Sequence, residues 1–153
     1  MRTKLDLVDE FQQQFGQQFA FEKARDFMFE YISQIRSTLP PVAATAWEVV
    51  KKSRAGIVTP QERDQTIRHM WDYVNQCEAP GNRLSPESCV TRSLFFLLNE
   101  LGPGEEYVSE DLHWFFYFAD QFEDHSDVAE ELLRKVFASE PGDRDPRQAT
   151  TQG

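Results

Sequence analysis

The sequence predicts an all-α protein: one helical domain over residues 1–138, a bundle of about seven helices, and a disordered tail over 139–153. Three observations lead there. Apolar residues return at three- and four-residue steps, the spacing that stacks side chains on one helix face, with no sustained alternation of the kind a half-buried strand shows. Helix-capping residues stand where four of these runs begin, at Thr59, Ser85, Ser109 and Ser126. The seven glycines lie mostly at helix ends and in turns, where glycine acts as punctuation.

Leu5, Val8, Phe11 and Phe15 set out the first helix, which ends near Gly16. The second turns Phe19, Phe27, Tyr31, Ile32 and Ile35 inward and Glu22, Arg25, Asp26 and Glu30 outward. Leu39-Pro40-Pro41 stops it, because the residue before a proline is pushed out of helical geometry. Val42 to Lys52 reads as a short helix built on Ala46, Val49 and Val50 and closed by Gly56. Gly56-Ile57-Val58 is a strand candidate too short to change the class.

Thr59-Pro60-Gln61-Glu62 is the best local signal in the chain, with Thr59 as N-cap, Pro60 as first helical residue and Glu62 as the return half of a capping box. The helix it opens runs to about Gln76 and directs Ile67, Met70, Trp71 and Val74 into the core. After a turn at Pro80-Gly81-Asn82, Ser85-Pro86-Glu87 repeats that grammar ahead of Val90, Leu94, Leu97, Leu98 and Leu101, and Gly102-Pro103-Gly104 ends the run. Ser109 opens a sixth helix, with Glu110 and Asp111 at the positive end of its dipole, and Ser126-Asp127 opens a seventh carrying Val128, Leu132, Val136 and Phe137. Beyond Ala138 the sequence is polar, holds Pro141 and Pro146 and has no apolar period, which predicts disorder.

A chain of 153 residues with 40% hydrophobic content has enough apolar surface for one core. Its net charge of −10 repels phosphate backbones and anionic lipid headgroups, so neither nucleic acid nor a membrane surface is expected as a direct partner. No secretory signal is visible at the N-terminus and no apolar run reaches the roughly 18 residues of a spanning helix, so the expected location is cytoplasmic. Cys77 and Cys89 form no C-x-x-C pair and read as reduced structural thiols, with a bridge between them left open.

Function is sought where the composition is most biased. From Ser93 to Leu133 there are forty-one residues without Lys or Arg, and they hold eleven carboxylates and nine aromatics. Within them Leu112, Phe115, Phe116, Ala119 and Phe122 make an inward stripe. Trp114, Phe118, Gln121 and His125 share one flank, and His113, Tyr117, Asp120 and Asp124 line the opposite side. One reading packs Trp114 and Phe118 beneath a neighbouring helix and leaves Tyr117 an ordinary surface residue. The other makes Trp114 and Tyr117 the anchors of a binding face whose carboxylates, Glu105, Glu106, Glu110, Asp111, Asp120 and Asp124, pair with a partner's Arg or Lys.

Catalytic and metal chemistry find less support. Glu110 and His113 have the E-x-x-H spacing of carboxylate-bridged two-metal bundles, but such sites use the motif on two helices, and the residues three before His69 and His125 are Thr66 and Phe122. No nucleophile elbow, partnered cysteine or phosphate-cradling glycine loop is present, and no cofactor is expected. In size, acidity and helical character the chain is similar to bacterial immunity proteins, which neutralise a cognate toxin, and to phage-type proteins that imitate the charge of DNA. That resemblance is one of composition and carries no residue over. It implies a non-enzymatic inhibitor that occupies a basic protein, such as a nuclease toxin. The alternatives are a DNA mimic or adaptor and, in another class, an enzyme working through His113, Glu110 and Asp120.

Overall fold

Residues 4–78, 85–98, 106–122 and 126–138 are described by the computed structural model, and among them seven α-helices and one 3-10 turn account for the regular structure, with no strand. The helices are α1 (Lys4–Phe15), α2 (Gln17–Ile35), α3 (Pro41–Arg54), α4 (Pro60–Cys77), α5 (Pro86–Leu98), α6 (Val108–Phe122) and α7 (Ser126–Ala138), with the 3-10 turn at Arg36–Thr38. The all-α bundle is therefore as the sequence predicts, and the strand candidate at 56–58 forms none. The turn at Pro80-Gly81-Asn82, Leu101, the stop at 102–104, Glu105, residues 123–125 and the tail lie outside the described residues.

Local chemistry explains most boundaries. Gly16 adopts φ 100°, a conformation that L side chains rarely take, and so the chain passes from α1 to α2 through one residue. Thr59 Oγ1 accepts the Glu62 N–H at 3.1 Å, and Ser85 Oγ accepts the Ser88 N–H at 3.0 Å, two working N-caps. The Glu62 carboxylate goes to Lys52 Nζ at 2.9 Å, so that it ties α4 to the end of α3 in place of closing the capping box. At the other end of α5, Arg25 donates to the Leu97 carbonyl at 2.5 Å and so satisfies an acceptor that the helix itself leaves open.

Two helices organise the packing. α2 lies against α1, α5, α6 and α7, while α5 lies against α2, α3, α4 and α6. α5 is buried on most of its surface, including Ser88, Thr91 and Ser93. Their hydroxyls donate back to the carbonyls of Ser85, Glu87 and Val90 at 3.0, 2.8 and 2.6 Å, so a helix with polar residues is buried without leaving those donors unpaired. One apolar cluster draws residues from all seven helices, with Phe27, Tyr31 and Phe115 at its centre. Phe115 meets Tyr31 edge-on at 5.6 Å and Phe27 at 6.2 Å, which fixes α6 to α2.

Two inward assignments need correction. Phe19 is 47% exposed, because the buried stripe of α2 starts one residue later, at Ala20, and continues through Ala24, Phe27, Met28 and Tyr31. Trp71 is 43% exposed, at the edge of a stripe whose buried members are Met70 and Val74. On α7 the buried seam is Ala129, Leu133 and Phe137, which leaves Val128 facing solvent. Cys77 and Cys89 are both free thiols.

Candidate protein-binding face

The start of α6 is set by α1, far away in the chain. Gln12 Oε1 accepts the Val108 N–H at 2.8 Å while Gln12 Nε2 donates to the Glu106 carbonyl at 2.7 Å, and Gln17 Nε2 reaches the same carbonyl at 3.2 Å. Ser109 is therefore not the cap. It lies inside the first turn, buried, and its hydroxyl donates to Asp9 Oδ1 at 2.6 Å. Gln12 and Gln17 thus form a clamp that fixes where α6 begins and how it is turned.

With α6 so held, Leu112, Phe115, Phe116 and Ala119 are buried, as expected of the inward stripe, while the side chain of Phe122 lies outside the described residues. Trp114 at 45% and Tyr117 at 42% remain exposed, so Trp114 does not pack beneath a neighbouring helix. Nor do the two rings part to opposite sides. They meet edge-to-face at 5.7 Å, and Phe118, half-buried, touches both, at 6.4 Å from Trp114 and 5.3 Å from Tyr117. His113 closes on Trp114 from the other side at 5.5 Å.

The cluster continues across α5 onto α4. Arg92 places its guanidinium 5.6 Å from the Phe118 ring and 5.3 Å from the Trp71 ring, between helices that no local sequence window connects. Trp71 in turn stacks on Phe95 at 4.5 Å. The guanidinium is held by Glu78 through two bonds, Nε to Oε2 at 2.9 Å and Nη2 to Oε1 at 2.7 Å, the bidentate geometry that fixes a planar cation. These bonds hold the Glu78 carboxyl below the usual glutamate range against the opposing effect of burial, and they raise the Arg92 guanidinium correspondingly.

The outcome for the sequence-predicted carboxylates is mixed. Glu106, Glu110 and Asp120 are exposed on or just before α6, Glu110 about one turn before Trp114 and Asp120 about one turn after Tyr117. Asp111 is 8% exposed and belongs to the packed side, because it stands four residues before buried Phe115 on the same helix face; it is removed from the binding face. Glu105 and Asp124 lie outside the described residues. Sequence reasoning missed Trp71, Arg92, Phe95 and the exposed Tyr107. Arg92 borders the cation-free stretch, and its position was the one available signal. Among the described residues no group of three or more His, Cys, Asp or Glu side chains is placed to hold a metal ion, so Glu110 and His113 find no further ligands there. No helix among them is long and apolar enough to cross a membrane.

Comparison of the chain with protein-family models, with curated proteins and with solved structures gives no match.

Proposed function

We propose that the chain is a non-enzymatic, immunity-like inhibitor that acts in the cytosol by capturing a basic protein, such as a bacterial toxin, on the face formed by α4, α5 and α6. The observation that carries this reading is the exposure of Trp71, Trp114 and Tyr117, each more than 40% open to solvent and linked through Phe95, Arg92 and Phe118. Large rings gathered at a surface gain free energy when a partner removes them from water, and tryptophan and tyrosine are the residues on which interfaces concentrate their affinity. Glu106, Glu110 and Asp120 add exposed negative charge on and just before the helix that carries Trp114 and Tyr117, and the 106–122 segment contains no Lys or Arg to offset it. An exposed acidic and aromatic face favours a binding role, whereas an enzyme acting through His113 would need a pocket converging on it.

The test begins with the tagged protein expressed in its native host and recovered with whatever binds it. The expected partner has a basic surface, loses its own activity in stoichiometric mixture with this chain, and is no longer retained by a Trp114→Ala, Tyr117→Ala double variant that keeps its helical circular dichroism. A partner retained equally by the double variant, or one whose activity is untouched, would overturn the reading.

A further inference from the structure

We infer that the groove between α3 and α4 is a second binding site, one for a small organic ammonium ion carried on a flat apolar body, with Asp72 as its counter-ion. The groove has a volume of about 400 Å³, within the range of roughly 300–1,000 Å³ typical of small-molecule sites. Its apolar surface comes from Val42, Ala46 and Met70, the last two buried members of the core that the groove leaves open along one edge. Its polar side is supplied by α4, where His69, Asp72 and Tyr73 follow one another within about a turn.

The charge of the lining selects the ligand. No Lys or Arg contributes to it, and Asp72 is its one carboxylate, so an anion finds no counter-charge and a neutral apolar molecule gains nothing from Asp72. The net charge of −10 raises the local concentration of cations over the whole surface. Tyr73 stays neutral at any ordinary pH, since burial, assisted by its hydrogen bond to Cys77, pushes its phenol up to about 12. Its ring and the Met70 thioether are polarisable surface that suits an organic cation better than a hydrated inorganic one. An inorganic metal ion is disfavoured further, because it would need several ligands where the groove offers one carboxylate and one imidazole.

This site is independent of the aromatic face. Trp71 leaves α4 on the side of Phe95 in α5, while the groove faces α3. The experiment is a nuclear magnetic resonance titration of the full chain with 2-phenylethylammonium and, separately, with phenylacetate as an anion of similar shape. The expected result is saturable shifts at the Met70 methyl, Thr45 and Thr66 with the ammonium and none of comparable size with the acid. Asp72→Asn should weaken binding about two- to fivefold, the scale of one exposed charge pair. Thr45→Trp, at an exposed position on the rim, should abolish it by filling the groove without disturbing the core. Equal binding of phenylacetate, indifference to Asp72→Asn, shifts confined to other helices or no saturable shift at all would each overturn the assignment.

Discussion

At Trp71 the ring stacks on Phe95, lies against Arg92 and yet keeps almost half of its surface in water. Apolar spacing on α4 tells which face a residue shares but not how deep it goes, and Trp71 occupies the edge of a stripe whose buried members are Met70 and Val74. Its replacement by alanine is therefore expected to cost about 1–2 kcal/mol, the scale of a ring stack plus a cation–π contact, and not the roughly 3–5 kcal/mol of a buried tryptophan. Thr59→Ala should cost a similar amount, about 1 kcal/mol, because its oxygen holds the Glu62 N–H. Urea unfolding of the two variants beside the parent compares them directly. Glu78 yields a pH prediction. Its folded-state pKa is depressed below the unfolded value of about 4.3, so the stability it contributes is present above that value and is lost as pH falls through the folded one. Glu78→Gln should thus destabilise the protein at neutral pH, and the gap in urea midpoint between variant and parent should narrow as the pH is taken down through about 4. A gap that stays constant with pH would mean that the Arg92 pair contributes through packing alone.

Among the elements, α6 shows how local rules and tertiary partners divide the work. Its inward stripe was legible because burial follows a 3.6-residue period that Leu112, Phe115, Phe116 and Ala119 obey. Its beginning was not, because the cap comes from Gln12, separated from Val108 by 96 residues, and no short window of sequence contains both. Ser109 resembled a cap locally but lies where Asp9 Oδ1 accepts its hydrogen bond. The same limit hid Arg25 at the end of α5, whose acceptor is 72 residues away. At Thr59 and Ser85, where cap and capped group are three residues apart, the sequence pattern and the structure agree. A consequence follows for stability. Gln12→Ala leaves the N–H of buried Val108 without its acceptor, which should cost about 1–3 kcal/mol. Gln12→Glu keeps an acceptor for Val108 but places a carboxylate oxygen against the Glu106 carbonyl, and should lie between parent and alanine variant. Hydrogen exchange at Val108 is the readout specific to the clamp, and it should accelerate in the alanine variant more than exchange in α3.

For the whole molecule, charge and ring surface are distributed unevenly: residues 1–58 are close to neutral, with eight basic and seven acidic side chains, and residues 59–153 carry eight basic against nineteen acidic. The sequence made this asymmetry plain, and folding adds the arrangement that it could not show, in which Arg92, from outside the acidic stretch, joins Trp71 to Phe118, the ring that meets Trp114 and Tyr117. If that face captures a basic protein, steering and holding fall to different residues. Exposed Glu110 and Asp120 act at a distance, through a field that physiological salt screens over about 8 Å. Asp120→Lys is therefore expected to slow association and to flatten its dependence on salt, with little change in dissociation. Trp114 and Tyr117 act only after contact, once water has left the rings. Alanine in place of either should leave the association rate nearly unchanged and speed dissociation, with a loss at Trp114 of about 2 kcal/mol or more, roughly a thirtyfold weaker complex. Surface plasmon resonance of these variants against the captured partner, at low and physiological salt, separates the two roles. Association that ignores salt, together with unchanged dissociation in the Trp114 and Tyr117 variants, would move the interface to the near-neutral helices α1 to α3 and leave the acidic segment a determinant of solubility.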